Sequence, residues 1–343
     1  VRVAALVERP DHVCCRYRIA TFRCFFEEAG HSLQIRPWPR NWWSWLRLGR
    51  ALRDTDVVIL QRRLLQGWQR FLLRRAVRWL VFDFDDAIFL RDSYAPKGLF
   101  SARRLRRFIG LVRAVDAVAA GNVFLQAQAC RWTEPAQVHW LPTCVDPERY
   151  PLTRHLRAGA GVKLVWIGSA STLRGLEVST PLLEEIGRRI PALSLKLICD
   201  RFLTLEHLPI EACPWTETSE ASEIAAGDIG ISFLPDDLWS EGKCGLKVLQ
   251  YMAAGLPVVA NPVGVQAELI RDGETGFLVE NADEWVRAIA RLSRDPELRR
   301  RMGWAGRRRV EEEYSVRSGA ARWLAVLGRL TRGGRVERQR QVA

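Results

Sequence analysis

Short apolar runs rich in Val, Ile and Leu alternate along the chain with longer segments whose apolar positions recur at helical spacing. That alternation predicts parallel strands wrapped by helices. In the first half, VRVAALV (1–7), SLQIRPW (32–38), DVVILQR (56–62) and WLVFDFD (79–85) predict strands. AVDAVAAGN (114–122) predicts another short one, and QVHWLPTCVD (137–146) closes the half. Tyr17–Ala29 predicts a helix stopped by Gly30, and Ser101–Val115 a helix that is basic on one side. A second series follows the linker-like stretch 151–161. Its strands are KLVWIGS (163–169), LKLICD (195–200), GDIGISFLP (227–235), PVVAN (257–261) and GFLV (276–279). Its helices are Leu182–Ile190, Lys247–Ala254 stopping at Gly255, and Ala282–Tyr314. Two such series predict two doubly wound domains, whose ligands sit at the carboxyl ends of the strands.

Length and composition agree with that picture. A chain of 343 residues with 48% hydrophobic and 27% charged residues suits about two globular domains. Residues 1–7 run straight into Glu8, Arg9 and Pro10, which does not read as a secretory signal, and no run of 18 apolar residues predicts a membrane span. The expected compartment is the cytoplasm, at most peripheral to the inner face of a membrane. Eight cysteines without a CxxC pair predict reduced thiols, and five histidines show no metal-ligand spacing. Charge is unevenly spread. Residues 1–150 hold 25 Lys and Arg against 14 Asp and Glu, whereas residues 151–343 hold 27 against 25. A basic first half predicts an acidic partner such as an anionic membrane surface, and the tryptophan–arginine run PWPRNWWSWLRLGR (37–50) suits a membrane interface, an aromatic acceptor platform, or core or interdomain packing. No recognised nucleic-acid module is present. The arginine-rich tail after Gly333 is expected to fray.

Candidate chemistry lies at strand ends. Gly168 and Ser169 open GSASTLRG (168–175), where free amides suit a phosphate and Arg174 adds charge; an ordinary strand–helix turn has the same composition. In EGKCGLKVLQYMAAGLPVVANPVGV (241–265), Lys243, Cys244, Gly245 and Leu246 stand at a predicted helix start favourable to an anion, with Gln250 one to two turns on. The same stretch also reads as a core helix. FDFDDAIF places Asp83, Asp85 and Asp86 at a strand end. They read as ligand-facing carboxylates, as a helix cap, or as a phosphatase-like nucleophile motif with Asp83 attacking. Arg16 and Arg18, after the first strand, are candidate contacts to a phosphate or an acidic acceptor.

QYMAAGLPVVANPVG (250–264) resembles the later part of the signature of the retaining glycosyltransferases of family 4, which share the two-domain GT-B fold. LPTCVDPERY (141–150), VQAELIRDGETGFLVE (265–280) and GSASTLRG resemble further family stretches in the right order. The resemblance implies an α/β protein with two doubly wound Rossmann-like domains facing each other across a cleft. It implies residues 1–155 on the acceptor side and 156–315 binding the nucleotide-sugar, with a C-terminal helix and basic tail at 316–343 packing back on the first domain. Donor contacts would come from Gly168, Ser169, Arg174, Glu241, Gly242, Cys244, Gly245, Leu246 and Gln250. Asp85, Asp86 and Lys243 would serve the transfer. No cofactor or metal is implied, and the acceptor would be a sugar, a lipid-linked group or a protein. The sequence departs from the family where Gly242 and Gln250 stand at the two usual glutamates. The family's phosphate-contacting arginine and lysine are replaced by Ser169 and Arg174. The competing functions are a sugar-nucleotide epimerase of the same fold and a non-catalytic nucleotide-sugar-binding relative.

Overall fold

The computed structural model describes residues 1–159 and 161–342, with side chains described as far as Arg332. The chain forms two compact units, Val1–Cys144 with Asp237–Cys244 and Val316–Ala343, and Val145–Asp236 with Gly245–Ser315.

In the first unit β1 (Arg2–Val7), β2 (Ser32–Pro37), β3 (Val57–Gln61), β4 (Trp79–Phe84), β5 (Ala117–Ala120) and β6 (Val138–Trp140) form a parallel sheet in the order β2-β1-β3-β4-β5-β6. Strands buried on both faces need apolar residues at every position, and β3 (VVILQ) is buried throughout. Successive side chains feed two cores. Ala4, Leu6, Val58, Leu60, Phe82 and Phe84 pack under α3 (Trp42–Ala51), α4 (Gly67–Ala76), α5 (Ala102–Val112) and α6 (Val123–Cys130). Val3, Ala5, Val57, Ile59 and Val81 pack with α1 (Val13–Arg18) and α2 (Arg23–Glu28) on the other face. The chain reverses direction across the sheet between β1 and β3, so the loops following those strands border the switch-point crevice.

The second unit holds β7 (Lys163–Ile167), α7 (Ala170–Val178), α8 (Thr180–Arg189), β8 (Ser194–Cys199), β9 (Ile210–Pro214), α9 (Glu220–Ala225) and β10 (Ile229–Ser232). The short α10 (Leu238–Glu241) belongs to the first unit; α11 (Leu246–Ala253), β11 (Val258–Ala260), α12 (Val265–Leu269), β12 (Gly276–Leu278), α13 (Ala282–Arg294) and α14 (Pro296–Arg309) complete the second. Its parallel sheet runs β12-β11-β10-β7-β8-β9, the strand order of dinucleotide-binding folds, with the switch point between β7 and β10. The last helix, α15 (Val316–Val342), returns to the first unit and lays Val316, Ala320, Trp323, Val326 and Leu327 on the α1–α2 face of its sheet.

Two expected helices are interrupted. Tyr17–Ala29 is broken at Ile19, whose φ of −131° leaves the helical region, so Arg18 ends one helix and Arg23 begins the next. Ala282–Tyr314 is split by Asp295–Pro296: proline has no N–H to continue α13 but suits the first position of α14, which Asp295 caps through Leu298 N at 2.8 Å. A π-helical turn, Val310–Tyr314, then ends the run. The tail expected to fray continues α15 to Val342, and its side chains lie outside the described residues. No helix among the described residues is long and apolar enough to cross a membrane.

Candidate active site

At the switch point of the first sheet, four chain segments converge on the ends of β3 and β4. Asp83 is the last inward carboxylate of β4 and is fully buried. The guanidinium of Arg18, only 2% exposed, pairs with both oxygens of Asp83 and also donates to Leu141 O. Burial works against the charge of Arg18, but Asp83 outweighs it and raises the arginine's pKa. Arg18 therefore has no free surface to offer a phosphate or acceptor, which corrects the expectation for that residue. The same pairing removes Asp83 as a nucleophile. The cap reading also fails, because the next helix, α5, begins at Ala102 on a Ser101 cap.

Asp85 and Asp86 turn the other way. Arg62, immediately after β3, bridges them: its Nη2 donates to Asp86 and its Nε lies 3.4 Å from Asp85 Oδ1. Its Nη1 reaches Cys14 Sγ, and its backbone adopts φ 54°, a left-handed conformation uncommon for a non-glycine residue. Lys243 Nζ donates to the second oxygen of Asp86 at 3.0 Å and lies 4.7 Å from the ring centroid of Trp239. Burial alone would raise the Asp86 carboxyl, but Lys243 and Arg62 together hold it below the ordinary aspartate value. Cys14, by contrast, is pushed well up by burial and by Asp85, so it is a neutral thiol. Arg16 stacks its guanidinium 4.6 Å from the ring centroid of Tyr17. Arg62 is the residue sequence reasoning missed; its signal was an Arg pair directly following an apolar strand.

Residues 237–244 are tied to this site. Asn122 Nδ2 donates to Glu241 O at 2.8 Å and to Lys243 O at 2.9 Å, while its Oδ1 caps α6. Gly242 packs so closely that a Cβ there would fall 2.6 Å from both Cβ and N of Ala87. Cys244 is buried against Gly121, where a Cβ would collide with its sulfur. The amides of Gly242 and Lys243 are already bonded to Trp239 O and Ser240 O, so the Lys243 amide is not the free donor expected at a helix start. That helix, α11, begins at Leu246 on Gly245, whose φ of 65° suits glycine.

In the second unit Gly168 and Ser169 form the whole turn from β7 into α7, at the switch point. The expected open loop is thus two residues long, and Arg174 is exposed on the helix itself. Asp200, at the end of β8, accepts from Ala170 N at 2.6 Å, so a carboxylate already holds the helix's first amide. Gln250 is 3% exposed and donates to Tyr150 Oη at 3.2 Å. The expected set is therefore divided: Asp85, Asp86, Glu241, Gly242, Lys243 and Cys244 lie in the first unit, and Gly168, Ser169, Arg174, Gly245, Leu246 and Gln250 in the second.

Residues 230–309 match the family described as glycosyl transferases group 1. Trehalose synthase of Pyrococcus horikoshii is 37% identical over 86 residues, 25% of this chain and 21% of that protein. The aligned segment thus spans about a fifth of that relative's length. Sucrose-phosphate synthase from Thermosynechococcus elongatus superposes with a TM-score of 0.74 at 16% identity, covering 97% of this chain and 99% of that one. The chain has the GT-B fold. Anabaena Alr3699/HepE, solved in complex with UDP and glucose, also superposes, with a TM-score of 0.67 at 14% identity over 95% of this chain and 99% of that one. Both similarities run through both units, whereas the sequence matches are confined to shorter segments. The GT-B likeness gives the two-unit architecture, and residues 230–309 carry the family likeness, taking in β10 to α14.

Proposed function

We propose that this GT-B protein is a retaining glycosyltransferase of family 4, moving a sugar from a nucleotide-sugar to an acceptor hydroxyl in cell-envelope polysaccharide or glycolipid synthesis. The observation that carries the reading is the family match over 230–309 on a sheet of dinucleotide-binding strand order, with the Gly168–Ser169 turn at its switch point. In the reaction the acceptor oxygen bonds to the anomeric carbon as that carbon's bond to the distal phosphate oxygen breaks. The electron pair leaves with the nucleoside diphosphate, which also takes the hydroxyl proton. Arg174, Lys243 and the amides around Gly245 are assigned to the charge on the departing phosphate. Gly168, Ser169, Glu241, Gly242, Cys244, Leu246 and Gln250 are assigned to the donor, and Arg16 to a phosphate or the acceptor. Asp85 and Asp86 are assigned to the acceptor. Arg62 is a positioning residue that holds them. The acceptor is a sugar, lipid-linked or protein hydroxyl, and the enzyme works at the cytoplasmic face of an anionic membrane.

The test is a thermal-shift screen with UDP-, GDP-, ADP- and CMP-sugars, beginning with UDP-glucose because Anabaena HepE was solved with it. Donors that stabilise the protein then go to acceptor assays, with the product's anomeric configuration read by NMR. One nucleotide class is expected to raise Tm. Arg174→Ala is expected to weaken its binding by about 1–3 kcal/mol, the worth of a charged hydrogen bond, whereas Asp85→Asn is expected to lower turnover at unchanged donor affinity. No response to any of the four classes removes the reading. A second reading, a nucleotide-sugar-binding relative without turnover, is favoured by the closure of Gly242 on Ala87 and of Gln250 on Tyr150. It predicts binding with no product.

A further inference from the structure

Helices α3, α4 and α5 lie side by side over one face of the first sheet. Gly49 of α3 meets Ala76 of α4, Trp45 lies edge-on to Trp68 at 6.0 Å, and the Arg70 guanidinium of α4 rests against Gly110 of α5. Inward, Trp45, Leu48, Leu73, Phe108 and Leu111 join the core; Trp45 is 3% exposed and offers nothing to a partner. Outward, the same helices present large apolar groups to solvent: Trp42 is 54% exposed, Trp43 59%, Leu46 50%, Trp68 44% and Phe71 58%. Trp42 and Trp43 lean on each other at 4.0 Å between ring centroids. Core packing does not account for this face, because each helix already has its inward stripe.

The charge on this layer has one sign. The three helices contain nine arginines and not one Asp or Glu. Arg63, from the loop before α4, stacks over Trp38, and with Arg103 it crowds Arg107 closely enough to hold that guanidinium's pKa down, after burial as the first cause. Among the described residues, no carboxylate pairs with Arg63, Arg103 or Arg107. Uncompensated cations beside exposed tryptophans fit a surface that is anionic at its face and apolar just beneath it. Tryptophan rings settle at such boundaries, and arginine stems bury while their heads stay at the phosphates.

We infer that the outward face of α3, α4 and α5 docks on an anionic phospholipid bilayer, with Trp42, Trp43, Leu46 and Phe71 entering the interface and Arg63, Arg103 and Arg107 pairing with lipid phosphates. This deepens the membrane placement proposed above and rests on it for the identity of the partner. It needs no sugar transfer. A nucleic acid is the less favoured occupant, because Leu46 adds aliphatic surface that stacked bases do not use and charge alone would leave the exposed tryptophans without a role.

The experiment is co-sedimentation of the full chain with phosphatidylcholine vesicles and with vesicles containing phosphatidylglycerol, at low and high salt and without donor. Binding is expected to phosphatidylglycerol vesicles only. Arg63→Gln, Arg103→Gln and Arg107→Gln together should weaken low-salt binding at least tenfold. Trp42→Ser with Trp43→Ser should abolish the fraction that survives high salt. Arg287→Gln with Arg291→Gln and Arg294→Gln, an equal charge loss on α13, should bind as wild type. Circular dichroism and Tm check that each variant is folded. Equal binding to both vesicle types, binding to neither, or equal loss in the α13 control overturns the inference. Retention on heparin that is indifferent to the tryptophans, without sedimentation, overturns it in favour of a soluble polyanion. Donor turnover without vesicles is expected to be unchanged in the α3–α5 variants, so loss of docking and failure of the proposed enzymology are read separately.

Discussion

Asp86 shows how single residues here are fixed by partners far away in sequence. Lys243 is 157 positions along the chain, yet it and Arg62 compensate a carboxylate whose pKa burial alone would raise. Asp86→Asn leaves the two cations facing each other and should cost on the order of 2 kcal/mol, the scale of a hydrogen bond to a charged group. Because the folded pKa is depressed, the carboxylate's contribution is complete above the unfolded value of about 4. It is lost as pH falls through the folded value. Urea midpoints of wild type and Asp86→Asn should therefore differ most at neutral pH and converge on acidification below about pH 4. A gap that stays constant from neutral to acid pH contradicts the pairing. Gly242 gives a steric counterpart. A glutamate placed there drives a side chain into Ala87, and Gly242→Glu should lower stability by about 1–3 kcal/mol, as overpacking does. A Tm at or above wild type would show that the segment has room to move.

At the scale of elements, α7 is the testable case. Its first amide is held by Asp200, so a nucleoside diphosphate bound at that helix end, as the proposed function places it, would meet a carboxylate. Asp200→Asn keeps an accepting oxygen and removes the charge. It should tighten nucleoside diphosphate binding by about 0.5–1 kcal/mol, the usual worth of a charge at a helix end. Calorimetry with UDP measures it, and unchanged or weaker affinity removes Asp200 from the phosphate's path. Apart from the edge strand β9, whose IEACP is only partly buried and forms no apolar run, the strands of both sheets were legible from their apolar runs, because buried parallel strands leave little other composition available. The α3 helix was not. Trp45, Leu48 and Leu52 do recur at helical spacing along its inward stripe, but Trp42, Trp43 and Leu46 on the outward side hide the period. At the site, the aspartates were visible because they end an apolar strand. Their sorting was not: which of Asp83, Asp85 and Asp86 takes Arg18 depends on a helix end 65 residues earlier. The role of Gly242 depends on contact with Ala87, which no local pattern encodes.

At the scale of the whole molecule, the first unit is assembled from three separate stretches of chain, and its last piece, α15, completes the cover that α1 and α2 begin on one face of the sheet. Trp323 is the largest side chain brought in, edge-on to Phe26 with ring centroids 6.5 Å apart. Removing residues 316–343 deletes the five apolar side chains of α15's inner stripe and exposes the surface they cover. At about 1.5–3 kcal/mol per buried side chain, the loss is comparable to the whole stability of a domain, about 5–15 kcal/mol. The truncated chain is therefore expected to lose the first unit's cooperative unfolding transition. A milder variant separates packing from helix formation. Gly319 lies where a Cβ would fall 2.5 Å from Cys144 Sγ and 2.8 Å from the Phe22 ring. Both neighbours are buried and have little freedom to yield. Gly319→Ala gains about 1 kcal/mol of helix propensity, but overpacking a closed contact costs about 1–3 kcal/mol. The steric effect should win, so Gly319→Ala is expected to unfold at lower urea than wild type. Gly328→Ala on the same helix, with nothing within 4 Å of its Cβ, should unfold at higher urea. If both alanines stabilise equally, α15 is not seated against the sheet at Gly319.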